Sequence, residues 1–305
     1  MSKITDEKFH SRQEAAFVEI MDRIQTQNED LGAIFFEATG MQGVAKTAIL
    51  LAFLDDTILN HPDQKNFWRN PYNAPFQFTK LEPGYWEIFL EENSSITFHD
   101  RDTEELEEVK LPFRTFTDFM DLYKKAIPGC CTVVFFEDET KWYDFIAFLN
   151  RIGAWTHVYL DEYGELFPAQ PSGKLHKMLA GASNILKEVR KCKTNVYATT
   201  QVASDVDYRV RGKIMTRAYL FGARPDKRGR VNQEAIDALE RNLKKGNEAW
   251  LEEGFGLFGK GRFTKIYKPR PGMNWEAHKP DESPKISDYL KSDRRAGRPN
   301  KTVME

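Results

Sequence analysis

The chain has 305 residues, of which 41% are apolar and 30% charged, and a net charge of −2. That composition belongs to a folded globular protein; it excludes bulk disorder and a collagen-like repeat, and leaves room for a full hydrophobic core in one large domain. The small net charge conceals an asymmetry: residues 1–182 carry 17 Lys/Arg against 30 Asp/Glu, whereas residues 183–230 carry 12 against 4 and form a basic segment.

In chain order, Phe9, Ala16, Phe17, Ile20, Met21 and Ile24 recur at helical spacing, so residues 1–28 read as an amphipathic N-terminal helix. Its mildly acidic start lacks the basic and apolar regions of a signal peptide, which points to the cytoplasm. The run Gly32 to Thr39 suits a buried strand, and residues 46–59 read as an apolar helix. The aromatic and Pro-rich stretch 60–85 matches no single template and opens an insert at about 53–128. Strands are expected at 86–90 and 95–98, a helix at 115–126, a strand at Cys130–Phe136, a helix at 139–150 and a strand at Thr156–Leu160. The apolar stretch Ala126 to Phe136 is too short for a membrane helix, which needs roughly 20 residues, and Pro128 and Gly129 interrupt it. A helix marked by Leu175, Leu179, Ala182, Leu186 and Val189 leads into strands at Asn195–Thr199 and Arg217–Gly222. The alternation of strand and helix is that of an α/β domain, over 29–270, followed by a flexible basic tail at 271–305. Cys130, Cys131 and Cys192 form neither a disulfide framework nor a CxxC clip, so reduced thiols are expected.

The strand ending at Thr39 runs into Gly40-Met41-Gln42-Gly43-Val44-Ala45-Lys46-Thr47 and then into the apolar helix, the strand–loop–helix context of a phosphate-binding P-loop. Glycines let successive backbone N–H groups turn towards phosphate, Lys46 reaches the β/γ-phosphates of ATP, and Thr47 ligates Mg²⁺. Ala45 stands where glycine is expected and brings a methyl group close to the phosphates. A second block, Thr156-His-Val-Tyr-Leu-Asp161-Glu162, ends an apolar strand in two carboxylates: Asp161 for Mg²⁺ and Glu162 to activate water. A third block places Arg190 before a strand that ends in Thr200-Gln201, where Gln201 can sense the γ-phosphate, followed by Asp205, Asp207, Arg211 and Thr216-Arg217. The run Gly254 to Gly259 fits G-x-G-x-x-G, but the strand pattern after it is wrong for a dinucleotide fingerprint. No metal other than Mg²⁺ is expected, because the histidines are dispersed.

Together these blocks resemble the FtsK–HerA superfamily of P-loop ATPases, which includes DNA pumps, viral genome-packaging ATPases and Zot-like assembly ATPases. The resemblance covers about residues 30–270, with Glu248–Lys268 similar to the family's closing hairpin. It implies a RecA-like P-loop NTPase core with a mainly parallel central sheet flanked by helices. It also implies a homo-oligomeric ring, a hexamer in the family, in which Arg190, Arg211 or Arg217 acts on the neighbour's γ-phosphate. The function it implies first is an ATP-driven translocase of double-stranded DNA, a viral or plasmid packaging motor recruited by a capsid or membrane partner. The alternatives are a Zot-like ATPase driving virion assembly, and a slow or inactive nucleotide-binding regulator on account of Ala45.

Overall fold

The computed structural model of the protein describes residues 32–42, 44, 46–71, 84–95, 98–99, 106–107, 113–223, 248–253, 262–267, 295–296 and 300–301. The expected N-terminal helix lies outside them, as do Gly43, Ala45 and most of the tail.

The strands of the central sheet are β1 (Phe35–Thr39), β2 (Lys65–Arg69) and β3 (Trp86–Glu91), then β7 (Arg114–Phe116), β8 (Cys131–Phe135) and β9 (Thr156–Leu160), then β10 (Thr194–Thr200), β11 (Thr216–Leu220), β12 (Glu248–Glu253) and β13 (Arg262–Tyr267). Two-residue strands supply the remaining labels: β4 (Ser94–Ser95), β5 (Phe98–His99), β6 (Leu106–Glu107), β14 (Arg295–Ala296) and β15 (Asn300–Lys301). The helices are α1 (Lys46–Asn60), α2 (Phe119–Lys125), α3 (Lys141–Ile152), α4 (Gly173–Glu188) and α5 (Tyr208–Arg211).

The sheet has ten strands in the order β13-β12-β11-β1-β10-β9-β2-β8-β3-β7. From β11 to β7 every pairing is parallel, giving eight parallel strands, and β12 and β13 extend the sheet as an antiparallel pair. Parallel strands covered on both faces carry continuous apolar runs, which is why β1, β8, β9 and β10 are legible as buried strands. Side chains alternate between two cores. On one face, Ile49, Leu50, Phe53 and Leu54 of α1 meet Phe36, Ala38, Tyr159 and Tyr197. On the other, Phe145, Ile146 and Leu149 of α3 and Leu179, Ala182 and Leu186 of α4 meet Phe35, Val158, Leu160 and Val196. The result is a three-layer α/β/α arrangement.

Two elements differ instructively from the sequence reading. The helix expected at 115–126 starts at Phe119, because Arg114–Phe116 pairs with β3 and Asp118 caps the helix by accepting from the Asp121 N–H at 2.8 Å. The unassigned stretch 60–85 contains β2, whose polar Lys65, Asn66 and Arg69 hide a strand that sits between β9 and β8. The segment about 53–128 therefore widens the same sheet.

Candidate nucleotide site

Register brings the three motif blocks to one edge. Thr39 of β1 lies opposite Thr200 of β10, Ala198 of β10 lies opposite Leu160 of β9, and Arg69 of β2 also lies opposite Leu160. All four strands run the same way, so the loop after β1, the Asp161-Glu162 turn after β9 and Gln201 after β10 emerge side by side. This is the carboxyl edge where parallel α/β sheets place their ligands.

The loop leaves β1 through Gly40, whose N–H donates to Thr200 O at 3.3 Å. A Cβ on Gly40 would meet Leu220 Cβ at 2.8 Å, so only glycine lets the chain turn this close to β11. Met41 and Gln42 are exposed and Val44 is buried. Lys46 opens α1, is buried to 6% exposure, and its Nζ donates to Met41 O at 3.2 Å. The same ammonium lies 3.5 Å from Glu162 Oε1. Thr47 Oγ1 donates towards both Asp161 oxygens, at 3.1 and 3.0 Å. Thus Lys46-Thr47 and Asp161-Glu162, 114 residues apart for the Thr47–Asp161 pair, meet across the end of β10.

Thr199, at the penultimate position of β10, ties the turn together. Its Oγ1 donates to Asp161 Oδ1 at 2.5 Å and accepts from the Glu162 N–H at 2.9 Å. Burial raises the Asp161 carboxyl above its ordinary range, and the hydrogen bonds from Thr199 and Thr47 with the charges of Arg69 and Lys46 work against that rise. Glu162 is also raised, first by burial, with Lys46 lowering it, the Asp161 charge raising it, and a hydrogen bond from Gln201 lowering it. A carboxylate of this kind is a stronger base than a free glutamate.

The three arginines differ. Arg217 does not reach the site edge: it is buried in β11 directly opposite Glu37 of β1, and its Nε donates to Glu37 Oε1 at 2.5 Å. Tyr163, next to Glu162, donates its hydroxyl to the other Glu37 oxygen. The candidate role of Arg217 as an arm towards a neighbour is thereby replaced by a pair inside the sheet. Arg211 ends α5, and its charge acts on Tyr163. Arg190 lies in the short turn Val189–Lys191 that precedes β10, at the end of that strand away from Thr200; its side chain is outside the described residues.

Sequence reasoning passed over Thr199, Glu37, Tyr163 and Arg69. Only Thr199, beside Thr200-Gln201, carried a local signal; the other three acquire meaning through strand register alone.

The parallel sheet, the glycine-led loop feeding the Lys46-Thr47 helix and the Asp-Glu strand end define a P-loop NTPase fold. Among solved structures the chain is similar to a genome packaging NTPase, B204 from Sulfolobus turreted icosahedral virus 2. In complex with sulfate, that protein matches with a TM-score of 0.52 at 11% identity, over 77% of this chain and 96% of its own. In complex with ATP-gammaS it matches at 0.50 and 11% identity, over 78% and 98%. The N-terminal domain of zonular occludens toxin from Neisseria meningitidis also matches, at 0.38 and 13% identity over 78% and 96%, too distant a likeness to bear on the argument. No family model matches the chain, and no curated protein sequence matches it. Among the described residues, no helix is long and apolar enough to cross a membrane.

Proposed function

We propose that this chain is an Mg²⁺-dependent ATPase that converts ATP and water to ADP and phosphate and uses the cycle to move double-stranded DNA, acting in a ring of identical subunits. The observation that carries the reading is the convergence of Lys46 on Glu162 and of Thr47 on Asp161. One pair supplies a cation for phosphate beside a base; the other supplies a hydroxyl and a carboxylate, the hard oxygen donors that suit Mg²⁺. When bound, Mg²⁺ would neutralise charge on the β/γ-phosphates.

The chain's own residues divide the remaining work. The N-terminus of α1 receives phosphate oxygens on its free backbone N–H groups, and Lys46 exchanges Met41 O and Glu162 for the β/γ-phosphates. Released from Lys46, Glu162 takes a proton from water at Oε1 as the water oxygen bonds to the γ-phosphorus and the bond to ADP breaks. Gln201 holds the Glu162 carboxylate in register with that water. The basic segment 183–230 supplies sequence-independent contact with DNA phosphates, as a translocase requires. A genome-packaging NTPase with this fold supports the choice of DNA.

Phosphate release measured with and without double-stranded DNA, across a salt series, tests the reading. Stimulation that fades as salt rises is expected. Hydrolysis indifferent to DNA would transfer the reading to an assembly ATPase, and nucleotide binding without hydrolysis would transfer it to a regulator.

A further inference from the structure

Glu162 has φ 48° and ψ 49°, the left-handed region that a residue with a Cβ adopts only when its surroundings impose it. The Glu162 N–H is held by Thr199 Oγ1 at 2.9 Å. The carbonyls on either side of the Glu162 Cα, those of Asp161 and Glu162 itself, converge on a single nitrogen, Nη1 of Arg69, at 2.6 and 3.4 Å.

Arg69 closes β2 and is only 1% exposed. Its guanidinium is fixed on the remaining sides as well, by Nε to Glu139 Oε2 at 2.6 Å and by Nη2 to Glu165 Oε2 at 2.8 Å. Glu139 lies just ahead of α3 and Glu165 lies in the turn beyond Glu162, so one planar cation joins β2, the approach to α3 and both ends of the turn. The two carboxylates balance the charge of the buried guanidinium and take two of its five N–H donors. The two carbonyl bonds serve no charge pairing, and they act on the peptide units that set the Glu162 dihedrals.

We propose that Arg69 is a positioning residue for hydrolysis: its guanidinium holds Glu162 in the left-handed conformation that presents the carboxylate to Lys46, without itself touching nucleotide. Among the described residues its hydrogen bonds go to residues 139, 161, 162 and 165, and none to those of the loop 40–47. Lysine cannot replace it, because a single ammonium lacks the planar fork that reaches two carbonyls and two carboxylates at once.

The kinetic part rests on the proposed ATPase reading and the conformational part does not, which keeps their failures apart. In a crystal structure of full-length Arg69→Lys, Glu162 is expected to leave positive φ and its carboxylate to part from Lys46. Retention of the wild-type turn overturns the proposal whether or not the protein hydrolyses ATP. In kinetics, Arg69→Lys is expected to lower kcat at least tenfold while the Kd for a fluorescent ATP analogue stays within threefold. In a Glu162→Gln background the same change is expected to cost nothing further, because the residue it positions is already gone. An equal fractional loss in both backgrounds, or loss of nucleotide binding alongside kcat, marks a merely structural arginine and overturns the idea. Should Arg69→Lys fail to fold, Glu165→Gln keeps the arginine and removes its most exposed partner. A fall of about threefold in kcat at unchanged affinity supports the proposal, and wild-type kcat overturns it.

Discussion

Lys46 and Glu162 face each other at 3.5 Å, so the two groups to which the proposed function gives phosphate binding and water activation neutralise one another. Nucleotide must separate them, and binding and chemistry become separable by mutation. Lys46→Ala is expected to abolish turnover with weakened ATP binding. Glu162→Gln is expected to keep affinity within a few-fold and to lower kcat by about 10²-fold or more, the scale of a general base. Titration with a fluorescent ATP analogue beside phosphate release checks both; wild-type turnover in Glu162→Gln would remove the residue from the mechanism.

The same environment predicts a pH profile. Burial raises the Glu162 carboxyl above its ordinary value of 4.5, and the base works only when deprotonated. The rate therefore falls as pH drops through the raised value, and the acid limb of kcat lies above pH 4.5. The profile of kcat at saturating ATP measures it, and an acid limb at or below the ordinary glutamate value would count against Glu162.

The legibility of this site in the sequence was uneven, for a physical reason. Asp161-Glu162 follow an apolar strand directly, and Lys46-Thr47 open the apolar helix that the loop from β1 leads into, so each stands at a transition that the local sequence records. Arg69 also ends a strand, but β2 carries Lys65 and Asn66 among its five residues, and its place beside β9 is a fact of register, which no local pattern encodes. Glu37 presents the opposite problem. It lies within an apolar run, where a carboxylate looks like an interruption, and only its pairing with Arg217, 180 residues later, explains how it is buried.

That pair makes a stability prediction. Arg217→Ala would leave the fully buried Glu37 with the Tyr163 hydroxyl alone, and breaking one side of a buried pair costs about 3–5 kcal/mol. Glu37→Gln with Arg217→Leu is expected to recover much of the loss, because it removes both charges. Denaturant unfolding of the single and double variants measures this, and additive losses would contradict the pairing.

His157 supplies a second pH effect, on stability. It is fully buried in β9, with Nε2 2.7 Å from Gln64 Oε1 and Nδ1 3.2 Å from the Tyr197 hydroxyl. Burial, helped by His61, depresses it from 6.5 to about 3. The unfolded chain therefore takes up the proton first. Stability is intact above pH 6.5 and is lost on acidification towards about 3, at roughly 1.4 kcal/mol per pH unit. His157→Gln should remove that slope. Between pH 6.5 and 5 the wild type should lose about 2 kcal/mol more than the variant in denaturant unfolding, and parallel losses would show that other groups carry the acid sensitivity.

The last prediction concerns the arginine that the proposed ring would need at a neighbouring subunit's nucleotide. Arg217 is committed to Glu37, which leaves Arg190 and Arg211. Arg190 precedes β10 at the end remote from Thr200, and seven strand residues span about 20 Å, so its backbone stands far along the strand from the site edge of its own chain. In a ring, that same remoteness suits a residue that works outward, and the permanently charged guanidinium can meet two γ-phosphate oxygens, contributing on the order of 10³-fold or more in rate. Mixing Arg190→Ala subunits with Lys46→Ala subunits is then expected to restore part of the ATPase activity that each variant lacks alone, because some interfaces pair an intact loop with an intact Arg190. If mixed rings form and every mixture stays as inactive as its parents, Arg190 does not act in trans, and the same mixing experiment with Arg211→Ala becomes the next test.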